Sequence, residues 1–221
     1  MSIRTVFLGP PGCGKGSQAV FVVDRHSVSH ISTGELLREA VKAQTQLGQQ
    51  VADIMAQGSL VPDRLVIDLI DEYLDQIDLA KGFVLDGFPR SLNQAKELDV
   101  LLDNKDKRLT FVLHLHVERE ILIKRLTGRR TCKTCGKIYN IYFSAPEVED
   151  HCDDQDCNGQ LMHRTDDNVD SISNRLSVYD AETKPLLDYY EKSGLLRTIN
   201  ASRSLSDIAD DVESLISAEV S

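Results

Sequence analysis

The sequence predicts an α/β fold: a three-layer α/β/α core around a five-stranded parallel sheet, with two inserted modules. Three observations lead there. Five short β-branched and apolar runs alternate with longer stretches of helical period, the pattern of a parallel sheet covered on both faces. A glycine-rich turn follows the first of those runs directly. The chain's 221 residues, 41% of them hydrophobic, are enough to bury one core without disulfides.

Residues 3–8, Ile-Arg-Thr-Val-Phe-Leu, read as a short buried strand ending at Gly9-Pro10-Pro11-Gly12. A helix is expected from Lys15 to Arg25 and a second strand from Ser27 to Ile31. Helical stretches follow at 33–43, 46–57 and 63–76, with Gly58 as a stop and Pro62 as a start. Gly82 to Asp86 is a third strand. Leu92, Ala95, Leu98 and Leu102 share one face of a helix over Ser91 to Leu102. Leu109 to Val117 reads as a strand and Glu118 to Arg129 as a helix. Residues 130–165 then lose the helical period and hold four cysteines, so something must organise them. Helix resumes from Asn168 to about Lys192. Leu195 to Ile199 is the last strand, and Ser204 with Asp207 opens a final helix as a capping box. The expected division is a core of residues 1–31, 62–127 and 166–221, a helical insertion at 32–61, and a second module at 128–165.

Charge narrows the function classes. The 25 Lys+Arg against 35 Asp+Glu leave a formal −10, which argues against a nucleic-acid coat protein or a polybasic membrane binder. A local basic site remains compatible with it. The longest apolar run, Ala19 to Val23, is too short to span a membrane. The start of the chain lacks the apolar stretch of a signal peptide, so the protein is expected in the cytoplasm, or as the mature form of an organellar protein.

Gly9-Pro10-Pro11-Gly12-Cys13-Gly14-Lys15-Gly16-Ser17 is the strongest motif. Glycines let successive backbone N–H groups face an anion, and the following helix points its positive end at the same place. Lys15 adds a full charge suited to outer phosphates. The motif follows a strand and opens a helix, as a P-loop must. It departs from the strict pattern, because Gly16 follows the lysine and the hydroxyl comes at Ser17. Cys13 reads as a small residue whose side chain points away, since phosphate-loop chemistry needs no thiol.

Further motifs follow in order: Ser32-Thr33-Gly34-Glu35-Leu36-Leu37-Arg38, Asp86-Gly87-Phe88-Pro89-Arg90 with Gln94 after it, and Gly128-Arg129-Arg130. A cysteine-rich segment, Arg164-Thr165-Asp166-Asp167 and Arg175 complete the set. In order and spacing the chain resembles the adenylate kinases over essentially its whole length. The cysteine-rich segment resembles the lid of their long form. The resemblance implies reversible phosphoryl transfer from ATP with Mg²⁺ to AMP, giving two ADP. It implies that Gly12, Cys13, Gly14, Lys15, Gly16 and Ser17 hold the ATP phosphates. Arg129 with Ile138 and Tyr139 would cover ATP from the lid, and Arg203 would meet its adenine mainly through backbone. Thr33, Arg38, the Ser59-Leu60-Val61 turn, Gly87, Phe88, Pro89, Arg90 and Gln94 would hold AMP. Arg164 and Arg175 would bridge the two nucleotides.

The chemistry agrees with that residue supply. A phosphate monoester has a second pKa of about 6, so the acceptor is already ionised and needs no general base. Catalysis is then positioning plus charge stabilisation, which calls for convergent cations. Lys15, Arg38, Arg90, Arg125, Arg129, Arg164 and Arg175 supply them, and arginine's planar fork suits paired oxygens. Arg125 and Arg129 are four apart on an expected helix and would share a face. Arg119, Arg130 and Lys133 are left as solvated charges. Asp86 ends a strand where a carboxylate would orient Mg²⁺ waters; the alternative is a cap on the following turn. Gln94 can offer a carbonyl and an NH₂ to the pairing edge of adenine; the alternative is a polar residue on the exposed helix face. His114 and His116 alternate along a strand and read as structural.

Cys132, Cys135, Cys152 and Cys157 form C-x₂-C-x₁₆-C-x₄-C. Four thiolates can close a structural Zn²⁺ site that staples a module too small for its own core. The second pair is wider than the C-x₂-C or C-x₂-D usual in the resembled lids, which makes Cys157 the preferred fourth ligand and Asp156 the runner-up. His151 is a minor candidate, and two disulfides or free thiols are the other readings.

Two other functions compete. One is a related kinase using GTP as donor or UMP or CMP as acceptor, against which Gln94 and the long lid speak. The other is a P-loop regulator with a zinc ribbon that binds nucleic acid. Residues 147–156 carry six acids there, which repels phosphate backbones. The expected partners are therefore ATP, AMP and ADP, with no nucleic acid, no membrane and a monomeric chain.

Overall fold

The computed structural model describes residues 2–220; Met1 and Ser221, the outer bounds of the expected core segments, lie outside it. Five strands form one parallel sheet: β1 (Ile3–Leu8), β2 (Ser29–Ser32), β3 (Gly82–Asp86), β4 (Phe111–His116) and β8 (Leu196–Asn200), in the order β2-β3-β1-β4-β8. In the register, Phe7 of β1 stands opposite both Asp86 and Leu113, and Ser32 opposite Asp86. That register brings the carboxyl ends of β1, β2 and β3 to one edge, where open parallel sheets bind ligands.

Alternation along each strand feeds two cores. Phe7, Val84, Phe111, Leu113 and Leu115 face one side, against α1 (Lys15–His26), α6 (Arg119–Thr127), α7 (Val169–Val178) and α9 (Leu205–Val220). Val6, Leu8, Phe83, Leu85 and Val112 face the other, against α4 (Asp63–Gln76), α5 (Leu92–Asn104) and α8 (Pro185–Lys192). This is the three-layer arrangement the strand pattern predicts. The expected cap forms, Ser204 Oγ accepting from Asp207 N, and Ser91 Oγ caps α5 in the same way by accepting from Gln94 N.

Two helices, α2 (Thr33–Lys42) and α3 (Gln46–Ala56), occupy the insertion after β2. The cysteine-rich segment holds a small antiparallel sheet of β5 (Arg129–Cys132), β6 (Ile138–Asn140) and β7 (Leu161–Met162), ordered β6-β5-β7. No helix among the described residues is long and apolar enough to cross a membrane.

Three expectations need correction. The second strand begins at Ser29, because Ser27 adopts a left-handed conformation (φ 54°) that caps α1. The helix expected over 118–129 stops at Thr127, and Arg129 begins β5, paired with Asn140. Arg125 and Arg129 therefore do not share a helix face. Strand pairing with residues 138–140, a contact remote in sequence, overrides the local helical pattern. The helix expected over 168–192 is broken by a π-turn at Tyr179–Thr183. Pro185 has no N–H to give the preceding turn and its ring crowds that turn's carbonyl. The chain widens just before it, and Lys184 N donates to Tyr179 O at 2.8 Å, five residues back.

Candidate active site

A cleft of about 900 Å³ opens at the carboxyl end of the sheet, between the phosphate loop, the α2–α3 insertion and the cysteine-rich module. Gly12, Gly14, Lys15, Gly16 and Ser17 line it. Gly12 has φ +85°, and a β-carbon there would stand 2.9 Å from Leu126 Cγ, so both backbone and packing require glycine. No side chain caps the amino end of α1, which leaves that positive end facing the cleft. Lys15 Nζ donates to the Gly9 carbonyl at 2.7 Å and the Pro10 carbonyl at 3.1 Å, folded over its own loop. Cys13 is buried and outside the cleft lining; its sulfur packs beneath Gly9. Lys15 Nζ lies 3.5 Å from that sulfur.

Six arginines of the expected set converge on this cleft: Arg38, Arg90, Arg125, Arg129, Arg164 and Arg175. Asp167, whose side chain is fully buried, holds two of them. Arg129 donates to it through Nε at 2.7 Å and Nη2 at 2.5 Å, and Arg175 through Nη1 at 3.1 Å. Arg175 also pairs with Asp166 at 2.9 Å. Arg164 Nε donates to Thr131 Oγ1 at 3.0 Å, and Arg90 Nε to the Gly87 carbonyl at 2.7 Å. Arg125 reaches the carbonyls of Cys13 and Arg203. Burial first, and then the neighbouring Arg129 and Arg38, press the Arg164 guanidinium down to about 9. Crowding by surrounding protein atoms and the Arg175 charge also lower Arg90, whose side chain still meets solvent. Both stay charged at neutral pH, so the cleft is a cation cluster with a deficit of anions, its arginines partly buried and Arg90 exposed.

On the insertion side, Leu60, Gly87 and Pro89 line the cleft. Thr33 is buried, its hydroxyl donating to the Gly87 carbonyl at 2.8 Å. Phe88 and Val61 are core residues beneath the cleft wall. Ser59 sits in a turn that rests on α7, where Asn174 Nδ2 donates to Gln57 O at 2.7 Å. Gln94 is only 1% exposed, not on an outer helix face, and both ends of its amide are bonded. The Asp86 carboxylate lines the cleft 4.0 Å from His30 Nε2. On the far wall stand Ile138, Tyr139 and Arg203, the last with its side chain turned to Asp211.

The four cysteines meet at one point. Their sulfurs all lie within 4.8 Å of one another, with Cys132–Cys157 at 3.5 Å and Cys135–Cys152 at 3.6 Å, and none is disulfide-bonded. Tetrahedral Zn–S bonds of about 2.3 Å place sulfurs about 3.8 Å apart, so the set fits such an ion. Asp156 and His151 are outside the cluster. Thr134 N donates to Cys132 Sγ at 3.4 Å, as suits a thiolate. A β-carbon at Gly159 would stand 2.7 Å from Cys132 Sγ, which keeps that position glycine.

Comparison with known proteins follows the same outline. The family model for adenylate kinase matches residues 7–195. The chain is 47% identical to an adenylate kinase of Thermodesulfovibrio yellowstonii, over 95% of this chain and 97% of that one. It is 47% identical to one of Nitrosococcus oceani (97% and 98% covered) and 44% identical to one of Carboxydothermus hydrogenoformans (97% and 99%). The chain belongs to the adenylate kinase family. It is a nucleoside monophosphate kinase that converts ATP and AMP into two ADP, and kinases of this family work on ATP with Mg²⁺.

An adenylate kinase must hold two polyanions side by side without water, and three residues contribute to this cleft in roles that the sequence reading does not assign. Asp167 organises two arginines, yet its carboxylate is far in sequence from Arg129. Thr183, in the π-turn, donates to the Arg90 carbonyl at 2.8 Å; Pro185 was the available signal for that turn. Phe143 stands under Arg125, with the guanidinium 5.9 Å from the ring centre.

Proposed function

We propose that this adenylate kinase binds ATP at the phosphate loop and AMP against the α2–α3 insertion, with the arginine cluster between them. The six arginines converging on one cleft, two of them held by the buried Asp167, carry this reading. Gly12 to Ser17 hold the ATP phosphates through backbone and Lys15, which leaves the loop carbonyls when phosphate arrives. Ile138, Tyr139 and the Arg203 backbone border the ATP base. Thr33, Arg38, the Ser59–Val61 turn, Gly87–Arg90 and Gln94 form the AMP side. Lys15, Arg90, Arg125, Arg129, Arg164 and Arg175 stabilise charge on the transferring phosphoryl group. Mg²⁺ bound with ATP supplies further charge neutralisation, and Asp86 orients its waters.

The division into a core (1–31, 62–127, 166–221), an AMP-binding insertion (32–61) and a lid (128–165) belongs to the same proposal. Closure of a lid to exclude water is the gating for which adenylate kinases are a standing example. The lid's buried apolar side chains are few, Cys132, Tyr139, Cys152 and Leu161, which supports a structural Zn²⁺ on Cys132, Cys135, Cys152 and Cys157. A closed four-thiolate site leaves no position for substrate. We assign the protein to the cytoplasm as a monomer, without nucleic-acid or membrane partners. The test measures ADP formation from ATP with a panel of monophosphates, alongside metal analysis of the same sample. Failure of AMP as the best acceptor rejects the residue assignment on the AMP side.

A further inference from the structure

Asp63 opens α4 and belongs to none of the phosphate-holding groups. Its carboxylate is nonetheless the meeting point of three donors from the start of α5. Oδ2 accepts from Ser91 Oγ at 2.9 Å and from Asn93 Nδ2 at 3.0 Å, and Oδ1 accepts from Gln94 Nε2 at 2.7 Å. The other end of the Gln94 amide is tied as well: Oε1 accepts the backbone N–H of Arg90 at 2.7 Å. Each partner has a single sense. A carboxylate only accepts and a backbone N–H only donates, so the amide has one orientation, nitrogen toward Asp63 and oxygen toward Arg90. Turned over, it would set carbonyl against carboxylate and NH₂ against N–H, at a residue only 1% exposed.

We propose that Asp63 is a specificity-determining positioning residue for the monophosphate base. This rests on the reading of Gln94 at the base of AMP. A carboxamide has two hydrogens and two carbonyl lone pairs. Asp63 takes one hydrogen and Arg90 fills one lone pair, which leaves one of each. Adenine offers an amino hydrogen at C6 and a lone pair at N1, so the fixed amide matches it at both positions. Guanine and hypoxanthine offer O6 and N1–H, the reverse order, and oppose it at both. With the acceptor at Asp63 removed, Gln94 is held at one end only, and the reversed amide becomes accessible to a six-oxo purine.

The test uses the full chain, with AMP, inosine monophosphate and guanosine monophosphate as acceptors at saturating MgATP. In Asp63→Ala, KM for AMP rises roughly tenfold, the size of one lost hydrogen bond, while KM for ATP stays within about twofold. The preference for AMP over inosine monophosphate in kcat/KM falls by roughly tenfold. Asp63→Asn still carries an oxygen but can also turn its NH₂ toward Gln94, and it falls between. Ser91→Ala removes the α5 cap and one Asp63 donor; it lowers the melting temperature and leaves base preference unchanged. That separates positioning from mere support of the helix. If Gln94→Leu loses base preference while Asp63→Ala and Asp63→Asn keep it, the Asp63 inference is overturned and the Gln94 reading stands. If Gln94→Leu leaves KM for AMP and base preference intact, the Gln94 reading falls and takes the inference with it. Should Asp63→Ala fail to fold, Asp63→Asn decides alone: unchanged base preference overturns the proposal.

Discussion

Replacing Asp167 by asparagine keeps the side chain's shape and removes the one fully buried negative charge among the arginines. The change weakens both charge-assisted bonds to Arg129, at 2.7 and 2.5 Å, and the one to Arg175, at 3.1 Å. Removing one partner of a buried ion pair costs about 3–5 kcal/mol, because the other charge stays behind uncompensated. Here Arg129 and Arg175 are 13% and 19% exposed, so water recovers part of the loss, and the lower end of that range applies. Each kcal/mol moves the melting temperature of a chain this size by about 2–4 °C, so a cost of about 3 kcal/mol predicts a fall of roughly 6–12 °C. Nucleotide phosphates restore negative charge to the same arginines. Thermal melts followed by circular dichroism, with and without ATP and AMP, should therefore show the gap between Asp167→Asn and the parent narrowing when ligands are present. A ligand-free shift under about 2 °C, or a gap that ligands leave unchanged, would refute the view that Asp167 holds the cluster together.

Three further outcomes are expected. Cys157→Ser should purify with less bound zinc than the parent and a lid that is cut faster by protease, whereas Asp156→Asn should match the parent in both. The Tyr139 hydroxyl accepts from Asp153 N at 2.8 Å and lies 3.3 Å from Cys152 Sγ, so its one proton is free for that sulfur. Tyr139→Phe should lose zinc to a chelator several-fold faster, read by a colorimetric indicator; an unchanged release rate removes the tyrosine from the metal's support. Burial, with smaller contributions from His116 and Lys15, lowers His114 to about 4 from an ordinary value of 6.5. Its folded pKa lies below its unfolded one, so between those values the unfolded chain binds the extra proton, and stability falls as pH drops through that window. The loss amounts to about 3 kcal/mol by pH 4, and urea titrations from pH 4 to 7 should show a flatter slope for His114→Asn.

How much of this was legible depends on how local each feature is. The phosphate loop is a strand end, a left-handed turn and a helix start within one stretch of chain, so its glycines and Lys15 announce it directly. The ends of α4 were readable to the residue because Pro62 marks its start. Arg129 misled because an i+4 spacing looks helical whether or not the chain continues as helix. Its place on β5 depends on Asn140 and on the sheet the cysteines gather. Asp63 read only as a helix-start residue, since nothing near it in sequence shows that Gln94 will lie 2.7 Å away. The four cysteines announced a metal-sized cluster by type and count, with Cys157 already preferred to Asp156; that all four sulfurs meet at one point depends on the fold of the intervening turn.

The formal charge of −10 shows the same division. Sequence by itself determined the elements, the anion-binding turn and the supply of cations, because backbone preference and side-chain chemistry act over a few residues. Only the tertiary structure decided which cations share one cleft, which carboxylates stand among them, and which way the Gln94 amide faces. Those outcomes depend on pairs such as Arg129–Asp167 and Asp63–Gln94, 38 and 31 residues apart. Burial raises the strength of each such contact, but packing across the sheet chooses the partner.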